Sequence, residues 1–217
     1  MTKDELIYKV KAKLEELSPF DDTSYLHTDN IVKPITSYID DALESSCNDA
    51  LLIIPLHLIR PKDFHDTQLV QTSRETGYVI LPKDFLRLYS FKMCSWFKDV
   101  TKPISVGNPA YALQKNPYTM GKAHSPVCVL NDNKEFIHDT AINLTKTLEY
   151  YSVNRYIQHN IDRALYVAKF NASEIQEDLA EFYSLSCAIS VLDILGQEKE
   201  KELLTKELAE MLASQTY

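Results

Sequence analysis

Residues 77–97, GYVILPKDFLRLYSFKMCSWF, form the longest strand-like run in the chain and constrain its fold more than any other stretch. Val79 and Leu81 alternate with polar or backbone-only neighbours. Pro82 interrupts, and Leu86 and Leu88 then alternate around Arg87 before Phe91 and Met93 alternate around Lys92. A period of two marks half-buried strands. The apolar face passes from even to odd numbers near Tyr89 and Ser90. A one-residue slip would turn that face to solvent, so the pattern predicts a β-bulge there or a turn that resets the register. The block is expected at the centre of a small sheet. The expected class is α+β, a helical bundle of N- and C-terminal helices with a small antiparallel β-domain carrying a long loop. The expected division is 1–58 for the N-terminal helices, 59–155 for the β-domain and 156–217 for the C-terminal helices, one compact domain plus an arm.

Helical periodicity frames this block. Thr2 and Glu5 have capping-box spacing, and Leu6, Val10, Leu14 and Leu17 follow on one face before Ser18 and Pro19 stop the helix. Residues 20–30 read as a loop. A second helix is expected from Ile31 or Pro34 to Ile53, with Ile35, Ile39, Leu43, Cys47 and Leu51 at helical spacing and Pro55 ending it. Leu69 and Val70 suggest a strand entering a hairpin whose turn is 72–76. Beyond the central block, 127–130 reads as a strand, 131–133 as a turn, and 134–137 with 148–151 as further strands. From Ile161 onward the pattern reads as helix. Ser173 and Gln176 suggest a second capping box, Gly196 a helix-closing C′ glycine, and Glu202 with Lys206 an i,i+4 pair on the last helix.

The connection 101–126 stands apart. It contains Pro103, Pro109, Pro117 and Pro126, Gly107 and Gly121, and the pairs Asn108–Pro109 and Asn116–Pro117. A long connection without structure of its own is usually functional or disordered. From Val100 to Asn131 there is no Asp or Glu, yet Lys102, Lys115, Lys122 and His124 are present, with Tyr111 and Tyr118 among them. Between Glu174 and Glu210, ten acids face three lysines, the opposite sign. A solvated loop and a solvated helix face are the plain alternatives to a docking arm and its acidic counterpart.

Composition narrows the chemistry. A net charge of −8 argues against a surface-wide nucleic-acid binder. Four glycines leave little for phosphate-cradling loops, whereas 13 tyrosines suit strands and protein interfaces. The longest apolar run, Ala50 to Leu58, is too short to span a bilayer, and the charged first helix does not resemble a secretory leader. Cys47, Cys94, Cys128 and Cys187 are far apart among apolar neighbours and are expected to be buried free thiols. The six histidines are scattered, with no C-x-x-C, H-E-x-x-H or H-x-H. No nucleophile elbow, P-loop or dinucleotide fingerprint occurs. Asp21–Asp22 and Asp40–Asp41 fit a loop and a solvated helix face. The expectation is a protein that is not an enzyme, with no catalytic residues, metal or cofactor. Lys146, Tyr150, Tyr151, Arg155 and Tyr156 form the one cluster of the kind a nucleic-acid reader uses, and tyrosines in a strand more often serve core or interface. The candidate interface residues are Tyr111, Lys115, Tyr118, Lys122, His124, Tyr150, Tyr151 and Tyr156.

The order of parts resembles the head-to-tail connector (adaptor or ring) proteins of short-tailed phages, in particular those of the crAss-like phages of Bacteroides. The likeness is carried by SYIDDALESSCNDALLIIPLHLI at 37–59, GYVILPKDFLRLYSFKMCSWFKDVTKPI at 77–104, NPAYALQKNPYTMGKAHSPVCVL at 108–130 and the helical tail. It is a likeness of layout and short stretches, covering most of the chain beyond residue 30. The resemblance implies a virion protein, made in the host cytoplasm, that forms a homo-oligomeric ring of about twelve copies beneath the portal. DNA would pass through the ring's channel. The implied partners are the chain itself, the portal protein and the next tail ring or hub protein. Transient non-specific contact with double-stranded DNA is compatible with it, and no membrane is involved. The alternatives are another non-catalytic portal-vertex or tail-hub component and, more remotely, an uncharacterised hydrolase.

Overall fold

The computed structural model describes residues 1–17, 26–28, 31–138, 141–156 and 158–215. The fold is mixed α/β, with five helices and antiparallel-rich sheets among the described residues. In chain order the elements are α1 (Lys3–Leu17), β1 (Leu26–Thr28), β2 (Ile31–Lys33), α2 (Ile35–Ile53), β3 (Lys62–Asp63), β4 (Leu69–Gln71), β5 (Gly77–Ile80) and β6 (Phe85–Met93). They continue with β7 (Ile104–Ser105), α3 (Ala110–Gln114), β8 (Cys128–His138), β9 (Ala141–Tyr150), β10 (Ile161–Ala168), α4 (Ala180–Ile194) and α5 (Glu198–Ser214). Two compact units result: a helical unit of Met1–Arg60 with Lys169–Tyr217, and a β-unit of Pro61–Ala168.

In the helical unit the first capping box forms as expected. The Glu5 amide donates to Thr2 Oγ1 at 3.2 Å and the Thr2 amide to Glu5 Oε2 at 2.8 Å. Leu6, Val10 and Leu14 are buried. Residues 26–28, expected in a loop, pair as a strand with 31–33, so α2 starts at Ile35 with Pro34 as its cap; the expected helix stop at Ser18 and Pro19 and the rest of the 20–30 loop lie outside the described residues. The hub is α4, which packs against α1, α2 and α5. Ten of its 15 residues are buried. A helix apolar all round belongs inside a core, and its Ser184, like Ser46 of α2, is buried without breaking that rule. Ser184 Oγ donates to Glu181 O at 3.0 Å and Ser46 Oγ to Ala42 O at 2.8 Å, so these hydroxyls are satisfied within their own helices. Gly196 closes α4 at φ 68°, and the Gln197 amide donates to Leu192 O at 3.0 Å, the Schellman bond expected of a C′ glycine.

Two helical expectations are corrected. Ser173 and Gln176 do not form a capping box. Asn171 Oδ1 takes the Ser173 amide at 3.0 Å, while the Gln176 side chain exchanges hydrogen bonds with the Arg60 backbone. A 3₁₀ turn at Glu177–Leu179 leads into α4 instead. On α5, Lys206 pairs with Glu210 at 3.9 Å rather than with Glu202.

The β-unit contains a three-stranded sheet ordered β3-β10-β6 and a five-stranded sheet ordered β4-β5-β9-β8-β7. The predicted register shift lies where the parity changes. Ser90 pairs with Leu165 and Leu88 with Tyr166, which leaves Tyr89 as the extra residue of a bulge. Leu88, Phe91 and Met93 are all buried as a result. The expected 72–76 hairpin turn also forms, closed by the Thr72 amide on Thr76 O at 3.0 Å.

Two β-unit expectations are overturned. Ile161–Ala168 is a strand, not the start of the C-terminal helices, so the β-unit runs to Ala168 rather than 155. The error has a physical origin. Asp162 is an extra residue between the pairs Ile161–Met93 and Arg163–Lys92, so buried Ile161 and Ala164 stand three apart, the spacing of a helix. Residues 131–133 are likewise no turn. β8 continues to His138, pairing there with Ala141 of β9, and absorbs one extra residue between Asn131 and Lys134.

The β-unit core is aromatic. Phe91 lies at ring-centroid distances of 6.2 Å from Phe64, 5.9 Å from Trp96 and 6.3 Å from Tyr150. Gly77 is required beside Tyr150, because a Cβ there would lie 2.2 Å from the tyrosine hydroxyl and 2.6 Å from Val70 O. Cys47, Cys128 and Cys187 are buried free thiols as expected, and Cys94 is exposed, contrary to expectation. No helix among the described residues is long and apolar enough to cross a membrane.

Candidate functional site

The 101–126 connection was expected to lack structure of its own, and it is built instead as a hydrogen-bonded insertion. β6 hands the chain to a tight turn in which Phe91 and Val100 exchange backbone bonds of 2.9 and 2.8 Å. β7 then adds to the five-stranded sheet, parallel to β8. The two Asn–Pro pairs do equivalent local work. Asn108 Oδ1 accepts the Ala110 amide and Asn116 Oδ1 the Tyr118 amide, each at 2.9 Å. Each proline occupies the intervening position, where its missing N–H costs nothing. α3 fills the space between the pairs.

A single side chain closes the insertion. Gln114 is buried; its Nε2 donates to Ala110 O at 3.2 Å and its Oε1 accepts the Gly121 amide at 2.8 Å. The Thr119 hydroxyl adds a 2.8 Å bond to Leu113 O, and Lys122 and Ser125 exchange backbone bonds. The Phe97 amide donates to Ala123 O at 3.0 Å, tying the turn after β6 to the end of the insertion.

The candidate residues divide sharply on this scaffold. Tyr111 is half-buried and anchors the insertion: its hydroxyl donates to Glu149 Oε2 at 3.3 Å, and Tyr151 reaches the same oxygen at 2.8 Å. Burial first, and the Glu149 carboxylate second, push both phenol pKa values up. Lys115 Nζ lies 4.8 Å from the Tyr111 ring centre, within cation–π range. Tyr118 is 89% exposed, and Lys122 and His124 are exposed with it. His124 stacks flat on Phe97, with ring centres 4.2 Å apart and planes within 2°.

Tyr150 and Tyr151 are not surface residues, which corrects their candidacy for an interface. Tyr150 is fully buried, with its hydroxyl 2.8 Å from His159 Nδ1, and His159 Nε2 lies 3.0 Å from Arg74 O. The carbonyl makes Nε2 the donor, so Nδ1 accepts from the phenol and burying both rings is balanced. Strand alternation places Tyr150 on the core side, which a count of tyrosines does not reveal. Tyr156 is 84% exposed, beside Arg155 and outside the insertion.

Phe97, 69% exposed, belongs to the surface and was not singled out in the sequence. Gln114 carried no signal at all, because a buried amide looks like any surface glutamine in sequence. The lysines of the β-unit fall into two groups. Lys62, Lys92 and Lys146 each lie within 3.9 Å of a carboxylate. Among the described residues, Lys98, Lys102, Lys115 and Lys122 make no ion pair.

Charge is divided by unit. The β-unit holds 13 Lys and Arg against 10 Asp and Glu, net +3, and the helical unit 10 against 21, net −11. A surface cavity of about 530 Å³ in the β-unit is lined by Asp63, Phe64, His65, Asp66, Thr67 and Ile80 among others. His65 Nε2 there lies 3.0 Å from Ile161 O, and its Nδ1 lies 3.8 Å from Asp66. Among the described residues no three or more His, Cys, Asp or Glu are grouped to hold a metal. No protein-family model matches the chain, and no curated protein matches it.

Proposed function

We propose that this chain is a structural, non-catalytic virion protein of the head-to-tail connector type found in short-tailed phages. In this reading the helices of the helical unit are a bundle, the β-unit is a small domain carrying a docking insertion, and copies assemble into a ring between portal and tail. DNA passes through the ring's channel, and the portal and the next tail ring or hub protein bind its two faces. The observation that carries the reading is the division of charge within one protomer, net −11 in one unit and net +3 in the other. Opposite signs on separate surfaces suit heterologous head-to-tail contacts, which close into a ring when the rotation is right. The ordered insertion adds to it. A docking element held rigid before binding loses less conformational freedom on binding than a mobile loop does.

Quantitative mass spectrometry of purified phage particles tests the proposal. A copy number equal to the portal's, or a simple multiple of it, is expected. Absence of the chain from mature particles would overturn the connector reading and return attention to assembly factors.

A further inference from the structure

We propose that the insertion of one copy docks on the acidic N-terminal half of α5 in a second copy of the same chain. The inference rests on the ring reading and supplies the contact that the ring would use. Its first half is the surface built by residues 97–124. Lys98, Lys102, Lys115 and Lys122 make no ion pair among the described residues, and the same segment exposes Phe97 at 69%, Tyr118 at 89% and Leu113 at 50%. Exposed rings beside unneutralised cations are what a partner with an apolar knob and carboxylates would cover.

The second half is on the helical unit. Leu203 of α5 is 59% exposed, a large apolar side chain on a helix otherwise rich in charge. Glu200 lies one turn before it on the same face, and Glu202 adjoins it. Neither acid has an ion pair among the described residues, although carboxylates close by on α4 and α5 do. Asp193 and Glu198 hold Lys201, and Glu181 and Glu207 hold Lys13. Each surface therefore has what the other lacks.

Charge decides the occupant. A nucleic acid would also suit lysines and rings, but it would approach a chain of net −8 whose helical unit holds −11. A second copy brings the opposite sign with it.

The test is a charge swap on the full chain. Lys115→Glu with Lys122→Glu makes one variant, and Glu200→Lys with Glu202→Lys makes the other. All four positions are solvent-accessible, and far-ultraviolet circular dichroism should confirm that both variants keep the wild-type fold. Sedimentation velocity over a concentration series at low salt should show the wild type associating. Each variant alone should need about tenfold more protein to reach the same association, and raising the salt should weaken the wild type in the same direction. Mixing the two variants should restore association, because each mutated surface then meets an opposite charge. As a readout independent of charge, Tyr118→Cys with Leu203→Cys in a Cys94→Ser background should form an intermolecular disulfide under mild oxidation that neither single cysteine variant forms.

Variants that associate like the wild type, or a mixture that shows no rescue, would overturn the docking while leaving the ring reading to the particle copy number. A wild type that stays monomeric at every concentration would also overturn it. So would a Lys115→Glu, Lys122→Glu variant that loses affinity for a labelled DNA duplex while its self-association is unchanged, which would give the surface to nucleic acid.

Discussion

The two units solve the problem of a stable core with different materials. The helical unit buries α4 among three neighbours using small side chains, Ala180, Ser184, Ser186, Cys187 and Ala188, between the larger Phe182, Leu185 and Leu192. Its buried Ser46 and Ser184 hydroxyls bond within their own helices, while Lys13 reaches across to Glu181 and Glu207 at 2.9 Å each. The β-unit instead stacks Phe64, Phe85, Phe91, Trp96, Tyr150 and Tyr166, and several of its polar contacts join residues far apart in sequence, such as Tyr166 with Asp84 and His159 with Arg74. Those distant contacts fix the β-unit geometry on which the insertion stands.

The largest expected effects sharpen this contrast. Phe91→Ala removes the ring at the centre of the aromatic cluster and should cost about 3–5 kcal/mol. The near-ultraviolet circular dichroism of the aromatic cluster should weaken, with a loss in chemical denaturation to match. Leu185→Ala in the helical core should cost about 2–5 kcal/mol and act chiefly on the far-ultraviolet helical signal. If either substitution erased both signals alike, the two cores would not be energetically separate.

Gln114→Ala probes the insertion alone. It leaves the half-buried Gly121 amide without its acceptor and should cost about 1–3 kcal/mol locally. Hydrogen exchange at Gly121 should accelerate and proteolysis should nick 101–126, while the core of the β-unit stays protected. A wild-type exchange pattern would mean the amide does not hold the insertion.

Alkaline pH should strike the β-unit through its phenols. Burial raises the pKa values of Tyr150, Tyr151 and Tyr166, the last to about 12, with the Asp84 carboxylate reinforcing the effect at Tyr166. Between the ordinary tyrosine value of 10.0 and the raised folded value, the folded state holds more protons than the unfolded chain. Stability is therefore fully present below that ordinary value and falls as pH climbs through the window. Denaturant midpoints across it should decline together with the appearance of tyrosinate absorbance. Tyr183 of the helical unit is raised too, by burial, so a fall confined to the β-unit would be informative about α4.

The smallest effect expected is at Gly196. Nothing lies within 4 Å of a Cβ built there, so Gly196→Ala should cost only the strain of φ 68°, about 1–2 kcal/mol. Thermal unfolding of the helical signal checks it.

Legibility followed the range of the interactions. The Thr2–Glu5 box, the Gly196 cap, the 72–76 hairpin and the bulge at Tyr89 were readable because each depends on a few consecutive residues. The strand at Ile161–Ala168 was not, because its bulges give buried residues a helical spacing, and only pairing with β6 and β3 makes it extended. The Ser173–Gln176 spacing was misleading because Gln176 spends its amide on Arg60, distant in sequence. At the candidate surface, the absence of acid from Val100 to Asn131 and the two Asn–Pro pairs were visible in the chain.

By itself, then, the sequence determined the local devices, the caps, turns and register shift, and the separation of charge along the chain, since these need only nearest neighbours or counting. Tertiary structure decided which tyrosines are core and which are surface. It also decided that Phe97 is left exposed beside His124, and that a buried Gln114 turns a proline-rich connection into a fixed insertion. The reason is that burial is decided by what packs over a residue once the chain has folded, and hydrophobic or turn signals in the sequence do not report it.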